Sequence, residues 1–268
     1  MVHYTHMNQW SLRRKRIILA IVVLILLVFI GIPTFFLFYK DSTCFDSKQN
    51  GDETGVDCGG SCQLLCTIES LPLILKGDPR VLNVTGNIFE VVALVENPNT
   101  SGEIYRAKYI FKLYDASGVI PVKTIEGETY VPKSTTFAVF EGPFSIETGI
   151  VPTRATFEWI QESIVWQRNT LKTPELVVTS FNISRESISP RLDANIENIS
   201  LENISNIDLV ALISDDTNNI FAASKTFINT LPTGERVPVV FTWPKPFDKR
   251  VLDVNIIIRV FPDRSFIR

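Results

Sequence analysis

The sequence has little histidine, the side chain that enzymes use most often as a general base. Its two histidines, His3 and His6, both precede residue 41, so residues 41–268 cannot hold a Ser-His-Asp triad or a Cys-His pair. The sequence also contains no Gly-rich phosphate loop and no His-containing metal motif. These absences predict a non-enzymatic protein. A carboxylate-dependent hydrolase is the alternative that they leave open, because Asp and Glu are plentiful.

Acidic side chains are missing from residues 1–40, which contain five Lys and Arg. Residues 41–268 therefore hold 21 of the 26 Lys and Arg against all 29 Asp and Glu, a net charge of −8. Nucleic-acid phosphates need a basic face. The charge distribution therefore argues against a nucleic-acid partner.

Charge of either sign is absent from residues 17–39. At about 1.5 Å per residue this run makes roughly 34 Å of helix, enough to cross a hydrocarbon core about 30 Å thick. Arg13–Arg16 precede it, and basic residues stay on the cytoplasmic side of a membrane. We therefore expect residues 1–16 to be a cytoplasmic tail, residues 17–39 a single transmembrane helix, and the remainder to be extracytoplasmic.

Two other interpretations of this run fit less well than an uncleaved signal anchor. A cleaved signal peptide has a shorter apolar stretch followed by small residues, whereas Phe35–Tyr39 is bulky. Lipid attachment at Cys44 requires small apolar residues before it, whereas Asp41–Thr43 is polar. Within the anchor, Pro33 lacks a backbone donor and is predicted to disturb the helix near its outer end.

Cysteine is confined to a short segment after the apolar run. The spacing is C-x13-C-x3-C-x3-C, at Cys44, Cys58, Cys62 and Cys66. Zinc sites favour paired C-x2-4-C arms, whereas an even cysteine count outside the cytoplasm favours disulfides. We predict two disulfides, in one of three possible pairings, within a juxtamembrane segment of residues 40–70. Metal thiolates are the alternative.

The order of residue types from Cys44 to Cys62 is similar to that of a short cysteine-rich segment found in many extracellular and cell-surface proteins. That segment reads roughly C-x-D-G-x-x-N-G-x-E-T-x-V-D-C-G-G-x-C. In this chain Ser47 stands where Gly is usual, and the gap from Cys62 to Cys66 is one residue longer than the common C-x2-C. The resemblance implies an extracytoplasmic location and disulfides.

Hard oxygen ligands, which calcium requires, also cluster in this segment: Asp46, Asn50, Asp52, Glu53 and Asp57. If Asn50 is taken as the first position, the oxygen-bearing residues up to Gly55 have the same spacing as those in the first half of an EF-hand loop. The twelfth position, however, is Ser61 rather than a bidentate Glu. We expect no cofactor here, with calcium on these five residues as the alternative.

Residues 76–168 and 175–268 consist of short β-prone runs separated by Pro, Gly, Asn and Asp. The clearest strand is Tyr105–Leu113, where apolar residues alternate with residues such as Arg106 and Lys108. Strands roughly every 8–12 residues, without amphipathic helices between them, predict antiparallel β-sandwiches. We therefore predict two sandwiches joined by a linker at residues 169–174.

The second sandwich repeats the first. Val95–Asn99 corresponds to Ile196–Ser200 at an offset of 101 residues, and the strand ending at Asp115 corresponds to one ending at Asp215 at an offset of 100. One residue is therefore lost in the loop after the first pair. Further matches are Val131-Pro132 with Leu231-Pro232 and Pro143-Phe144 with Pro246-Phe247. This alignment predicts four inward-facing side chains in the second copy: Ile207, Leu209, Ala211 and Ile213.

The pentapeptide Phe111-Lys112-Leu113-Tyr114-Asp115 resembles the signature of the FxLYD family of small immunoglobulin-like domains. The resemblance covers about residues 80–160, and the second copy is divergent, because Ala211–Asp215 keeps only the apolar alternation and the Asp. It implies an immunoglobulin-like fold and display on an envelope or cell surface. For Asp115 and Asp215 a turn role is sufficient.

The sequence as a whole predicts an all-β ectodomain of two tandem immunoglobulin-like sandwiches behind a single N-terminal transmembrane helix. Its expected function is that of a membrane-anchored surface or envelope protein that presents these sandwiches to another envelope protein or to a polymer. The alternative is an accessory subunit of a membrane transport or secretion complex, in which the helix itself makes specific contacts.

Overall fold

A computed structural model describes residues 5–34 and 43–262. The N-terminal part is helical: α1 spans Thr5–Leu26 and continues as a π-helical turn, Leu27–Gly31. From Leu12 to Thr34 the helix is long and apolar enough to cross a membrane, by length and composition. It begins inside the segment predicted as a tail, and its wide turn ends two residues before Pro33, where a disturbance was predicted. Residues 35–39 of the predicted anchor lie outside the described residues.

The remaining described residues are mainly β-strands, with 3-10 turns at Thr67–Glu69 and Gln161–Ser163. The strands are β1 Ile74–Leu75, β2 Arg80–Thr85, β3 Ile88–Asn97, β4 Gly102–Tyr114, β5 Pro121–Val131, β6 Thr135–Ser145, β7 Arg154–Trp159, β8 Gln167–Arg168, β9 Leu176–Ser184, β10 Arg191–Asn198, β11 Ile204–Ser214, β12 Ile220–Leu231, β13 Arg236–Thr242 and β14 Asp253–Val260.

Strands β1–β8 form the first module, which has two antiparallel sheets. In one sheet β3 pairs with β6 on one edge and with β1 and β2 on the other. In the second sheet β4 pairs with β5 on one edge and with β7 and β8 on the other. Side chains from both sheets meet in one core, which includes Val95, Phe111 and Phe137. Two sheets that share a core form a β-sandwich.

Strands β9–β14 form the second module and repeat this strand order. β10 lies between β9 and β13, and β11 lies between β12 and β14. Their shared core includes Leu192, Leu209 and Phe241. The predicted fold class, an all-β part behind a single N-terminal helix, is confirmed. Residues 263–268 of the predicted second sandwich lie outside the described residues.

The predicted inward faces are confirmed in the second copy and, except at Tyr105, in the first. The four residues named for the second copy, Ile207, Leu209, Ala211 and Ile213, are each 0% exposed. In the first copy Phe111 and Leu113 are likewise fully buried. Tyr105 differs from expectation, because a register shift between Ile104 and Ala107 puts Ile104 into the core and leaves Tyr105 half-buried.

The two modules stack face to face. The outer face of the β2-β3-β6 sheet packs on the outer face of β11 and β12, and we call the resulting cluster the module interface: Leu82, Val92, Ala138, Val210, Leu212 and Ala223. All six side chains are buried. The protein therefore has four layers of sheet, and the inner two sheets are covered on both faces.

Arg259 of β14 is a buried charged residue at the module interface. Its Nη1 donates a hydrogen bond to Thr129 Oγ1 of the first module at 2.9 Å. Its guanidinium lies over the rings of Phe261 and Phe137, at 4.5 and 5.4 Å from their centroids. The carboxylate of Asp208 is 3.9 Å away. Burial lowers the pKa of Arg259 to about 10, so it stays charged at neutral pH.

Candidate functional site

The collar, which we define as residues 43–70, contains the two predicted disulfides. Cys44 is bonded to Cys62 and Cys58 to Cys66, which selects one of the three pairings that the sequence left open. Glu53 lies beside the Cys44–Cys62 pair. Because these sulfur atoms are bonded to each other, they cannot serve a metal as thiolates.

All five residues predicted as alternative calcium ligands lie in the collar: Asp46, Asn50, Asp52, Glu53 and Asp57. The Asp57 carboxylate accepts the backbone N–H groups of Asp46 and Ser47, both at 2.9 Å. Asn50 donates its side-chain amide to Asp46 at 2.9 Å and its backbone N–H to Glu53 at 3.1 Å. The carboxylates of Asp46, Glu53 and Asp57 therefore already accept donors of the collar itself, whereas Asn50 Oδ1 is buried without a hydrogen-bond partner among the described residues. Calcium binding stays a prediction.

The collar is attached to the end of the first module. Leu64 forms a β-bridge with Gln167 of β8. The N–H of Leu65 donates to the carbonyl of Trp166 at 3.1 Å. Trp166 is 4% exposed and belongs to the first core, on which Leu65 also packs. The disulfide-closed segment is thus continuous with the first sandwich.

A buried asparagine occupies the same position in each module. Asn97 and Asn198 are both 0% exposed. Asn97 donates to the carbonyls of Gly102 and Pro132, both at 2.8 Å. In the second module Asn198 donates to the carbonyls of Glu202 and Leu231, at 2.8 and 2.9 Å. Each amide fastens the loop after the module's second long strand to the neighbouring turn, β5–β6 or β12–β13, which is a structural role.

Asp115 and Asp215 also occupy equivalent positions, each at the turn that follows the central strand. Asp115 Oδ1 accepts the N–H of Ser117 at 2.9 Å, and Asp215 Oδ1 accepts that of Thr217 at 3.0 Å. The Lys249 ammonium lies 2.6 Å from Asp215 and, with the Thr217 hydroxyl, lowers the pKa of that carboxyl. Both residues thus have the turn contacts expected of them.

The candidate functional site is a cleft at the edge of the module interface, with a volume of about 130 Å³. Its first wall belongs to β2 and β3 of the first module: Leu82, Asn83, Val84 and Glu90. Its second wall belongs to β12 and to the segment after β13: Phe221, Ala222, Ala223, Trp243, Lys245, Pro246, Phe247 and Asp248. A cleft between two packed units, lined by apolar groups with a few polar ones, is a common form of binding site.

Aromatic rings make up much of the second wall. The centroid of Phe247 lies 5.3 Å from that of Phe221 and 5.2 Å from that of Trp243, both with the rings edge to face. Trp243 Nε1 donates to the carbonyl of Ala223 at 2.8 Å. The indole N–H therefore has a partner, and the wall presents apolar surface held in place by its own packing.

Glu90 enters the cleft from β3, opposite an irregularity in β6. Gly142 and Pro143 both stand opposite Glu90, so the partner strand bulges here. A Cβ on Gly142 would lie 2.6 Å from Glu90 Cγ, so the backbones approach this closely only with glycine. Burial raises the pKa of Glu90 from 4.5 to about 7. Within residues 43–262 no hydrogen bond or ion pair to its carboxylate is found.

Lys245 connects the two walls at the rim. Its Nζ lies 2.5 Å from Asn83 Oδ1 of the first module. The charged groups of the lining are therefore the carboxylates of Glu90 and Asp248 and the ammonium of Lys245. This combination can hold a small polar or charged group against an apolar wall.

Sequence reasoning named neither Glu90 nor Lys245 as a site residue. Glu90 lies on the outer face of a predicted strand, where a carboxylate is normally solvated. Pro246 and Phe247 entered the sequence analysis only as the repeat partners of Pro143 and Phe144. That match gave no sign that the first module packs beside them.

No family model matches the chain, and no curated protein matches it. Among solved structures, red sea bream transglutaminase is 11% identical over 71% of this chain and 29% of that chain, with a TM-score of 0.24. A β-glucuronidase from glycoside hydrolase family 2 is 14% identical over 66% of this chain and 24% of that chain, with a TM-score of 0.20. The tandem CBM22-1–CBM22-2 domain of Paenibacillus barcinonensis Xyn10C is 10% identical over 75% and 88% of the two chains, with a TM-score of 0.14. The chain thus spans less than a third of either enzyme, and likeness at this level assigns it neither family nor function.

Proposed function

We propose that this chain is a non-enzymatic, membrane-anchored surface or envelope protein that presents a stacked pair of immunoglobulin-like modules to another envelope protein or to a polymer. In this proposal residues 17–39 are a signal anchor and the N-terminus is cytoplasmic. The FxLYD resemblance at residues 111–115 and the resemblance of the cysteine-rich segment support an extracytoplasmic location for the rest. The oxidised collar agrees with that location.

The observation that carries the proposal is the continuous attachment from helix to modules. Nine residues separate Thr34 from Cys44, so even a fully extended chain spans at most about 35 Å between them. Cys44 is bonded to Cys62 within the collar, and the collar is hydrogen-bonded to β8. The modules are therefore held within about 35 Å of the described end of the apolar helix. Such an arrangement suits presentation of a fixed surface.

The cleft is the part of that surface that we propose as the contact site. It combines a carboxyl group, an amine and aromatic walls, and both modules contribute to it. Its shape depends on the module interface, which is buried and apolar. The site is therefore preorganised, which reduces the conformational cost of binding.

Photo-crosslinking in the native membrane tests the proposal. A benzophenone amino acid in place of Pro246, an exposed residue at the cleft rim, should capture a partner. The matched control places the same probe at Val119, which is 79% exposed in the β4–β5 turn. Adducts at both positions or at neither would contradict the proposed contact site. Full protection of residues 43–262 from protease added outside the cell would contradict the proposed topology.

A helix exchange separates this proposal from an accessory subunit of a transport or secretion complex. Replacing residues 12–34 with an unrelated apolar anchor leaves the collar and both modules intact. We expect the Pro246 adduct to persist after this exchange. Its loss would mean that the helix itself recognises the partner.

A further inference from the structure

The Glu90 carboxylate is in an unusual environment for a group with no partner. It lines the cleft together with Val84 of the same wall and with Phe221 and Phe247 of the opposite wall. Moving a carboxylate away from water without a partner is unfavourable, so such a group either takes up a proton or binds a cation or a donor. The raised pKa of Glu90, about 7, reflects the free-energy cost of keeping this carboxylate charged away from water. A ligand that places a positive charge beside the carboxylate would offset this cost.

The other charged groups at the cleft leave Glu90 available for such a ligand. Lys245 Nζ is engaged with Asn83 Oδ1 at the rim, and no ion pair to Glu90 is found within residues 43–262. Asp248 is exposed and adds a second negative charge. On the neighbouring strand β6, Glu141 points to the opposite face of the sheet, where it accepts a hydrogen bond from Tyr109 at 2.6 Å. The lining is therefore net negative, as are residues 41–268 as a whole.

The walls favour a cation with an apolar stem. The rings of Phe221 and Phe247 offer apolar surface to an alkyl stem, and the ring of Phe221 already has the Lys249 ammonium 6.0 Å from its centroid. A volume of about 130 Å³ admits a small group, since one water occupies about 30 Å³ in the liquid. An alkylammonium fits this description better than a bulky, strongly hydrated ligand.

We propose that the cleft binds a primary ammonium group, with the nitrogen on the Glu90 carboxylate and its alkyl stem against Phe221 and Phe247. The ammonium belongs to a lysine side chain of a partner protein or to a small polyamine. This inference rests on the proposed function, because it names the chemistry of the same contact site.

The test uses the full chain in detergent micelles, with n-pentylamine as the probe and n-pentanol as its neutral analogue. Binding is followed by NMR through the backbone amide of residue 90. At about pH 8 we expect the amine to bind about ten- to a hundredfold more tightly than the alcohol, as a charge-assisted hydrogen bond would produce. Lowering the pH to about 5.5 protonates Glu90 and should remove most of that preference.

Two variants make the test specific. Glu90→Gln keeps the size of the side chain and removes its charge, so the amine and the alcohol should then bind alike. Glu126→Gln removes an exposed carboxylate on β5 and should leave the preference unchanged. Equal binding of both probes to the wild type, no shift with either at about 20 mM, or a preference that survives Glu90→Gln would each overturn the inference.

Two further ligands distinguish the sources of the ammonium group. Tighter binding of the peptide acetyl-Gly-Lys-Gly-amide than of spermidine would support a partner's lysine, and the reverse order would support a polyamine. Failure of this inference is distinguishable from failure of the proposed function. A Pro246 adduct in the membrane without any pentylamine shift would overturn the ammonium inference and leave the display function standing.

Discussion

Truncation of Leu212 tests whether the two modules stack face to face. Leu212 is 1% exposed and lies in the module interface rather than in the core of the second module. If the modules were joined only by their linker, this outer face of β11 would be in solvent. Leu212→Ala therefore distinguishes a stacked pair from two independent modules.

The two arrangements predict very different free energies of unfolding. A buried leucine contributes about 1.5–3 kcal/mol through removal from water, and the cavity left by Leu→Ala raises the total cost to about 2–5 kcal/mol. On the facing sheet Val92 and Ala138 are 1% and 2% exposed, so they have little room to close over the cavity. We expect Leu212→Ala to lower the free energy of unfolding by about 3 kcal/mol. At an exposed position the same change costs less than about 0.5 kcal/mol.

Urea unfolding of the full chain, followed by tryptophan fluorescence, measures this difference. The matched control is Leu252→Ala, because Leu252 is 63% exposed and belongs to the same module. A loss near 3 kcal/mol for Leu212→Ala alone would support the stack. A loss below about 0.5 kcal/mol would refute the reasoning, since it would mean that water already reaches the side chain.

Three other perturbations have defined outcomes. Asn97→Ala should lower the free energy of unfolding by about 2–4 kcal/mol in the same assay, because two buried carbonyls lose their donor. The pKa of Glu90 in the native state, about 7, lies above its ordinary value of 4.5. Between these two pH values the native state therefore binds more protons than the unfolded state. The free energy of unfolding consequently falls as pH rises through this window. Glu90→Gln should remove that slope and raise stability at about pH 8 by roughly 1–2 kcal/mol, a figure reduced for the partial exposure of the group; an unchanged slope would contradict the assignment. Calcium at about 2 mM should move the thermal midpoint by less than about 1 °C, because the collar carboxylates hold their own donors; a larger rise that Asp57→Asn abolishes would establish the calcium alternative.

The repeat and the inward faces could be predicted because each depends on local pattern. A strand with one buried face alternates apolar and polar residues. In β4 and β11, the central strand of each module, the apolar set of alternate residues therefore predicted which side chains are buried. The equivalence of Asn97 and Asn198 followed from the same alignment, and each amide donates to two backbone carbonyls. The cysteine spacing predicted two disulfides, whereas their pairing depends on how the collar folds.

Stacking of the modules was missed although one signal for it was present. Leu209–Ile213 is continuously apolar, and an unbroken apolar run indicates a strand buried on both faces. Leu209, Ala211 and Ile213 face the core of the second module, whereas Val210 and Leu212 face the first module. The cleft could not be predicted for the same reason, because it exists only where the stacked modules meet.

Stacking of the modules also determines where the residues that follow β14 lie. Phe261 follows β14, and its ring centroid lies 6.1 Å from that of Tyr130. The Tyr130 hydroxyl donates to Glu103 at 2.6 Å, and Glu103 pairs with Gln167, which is bridged to the collar. Phe261 and the collar thus lie at one pole of the stacked modules. A fluorescent protein fused after Pro262 would consequently report on the surroundings of the collar, and a label at the opposite pole would have to be introduced in a turn such as the one between β4 and β5.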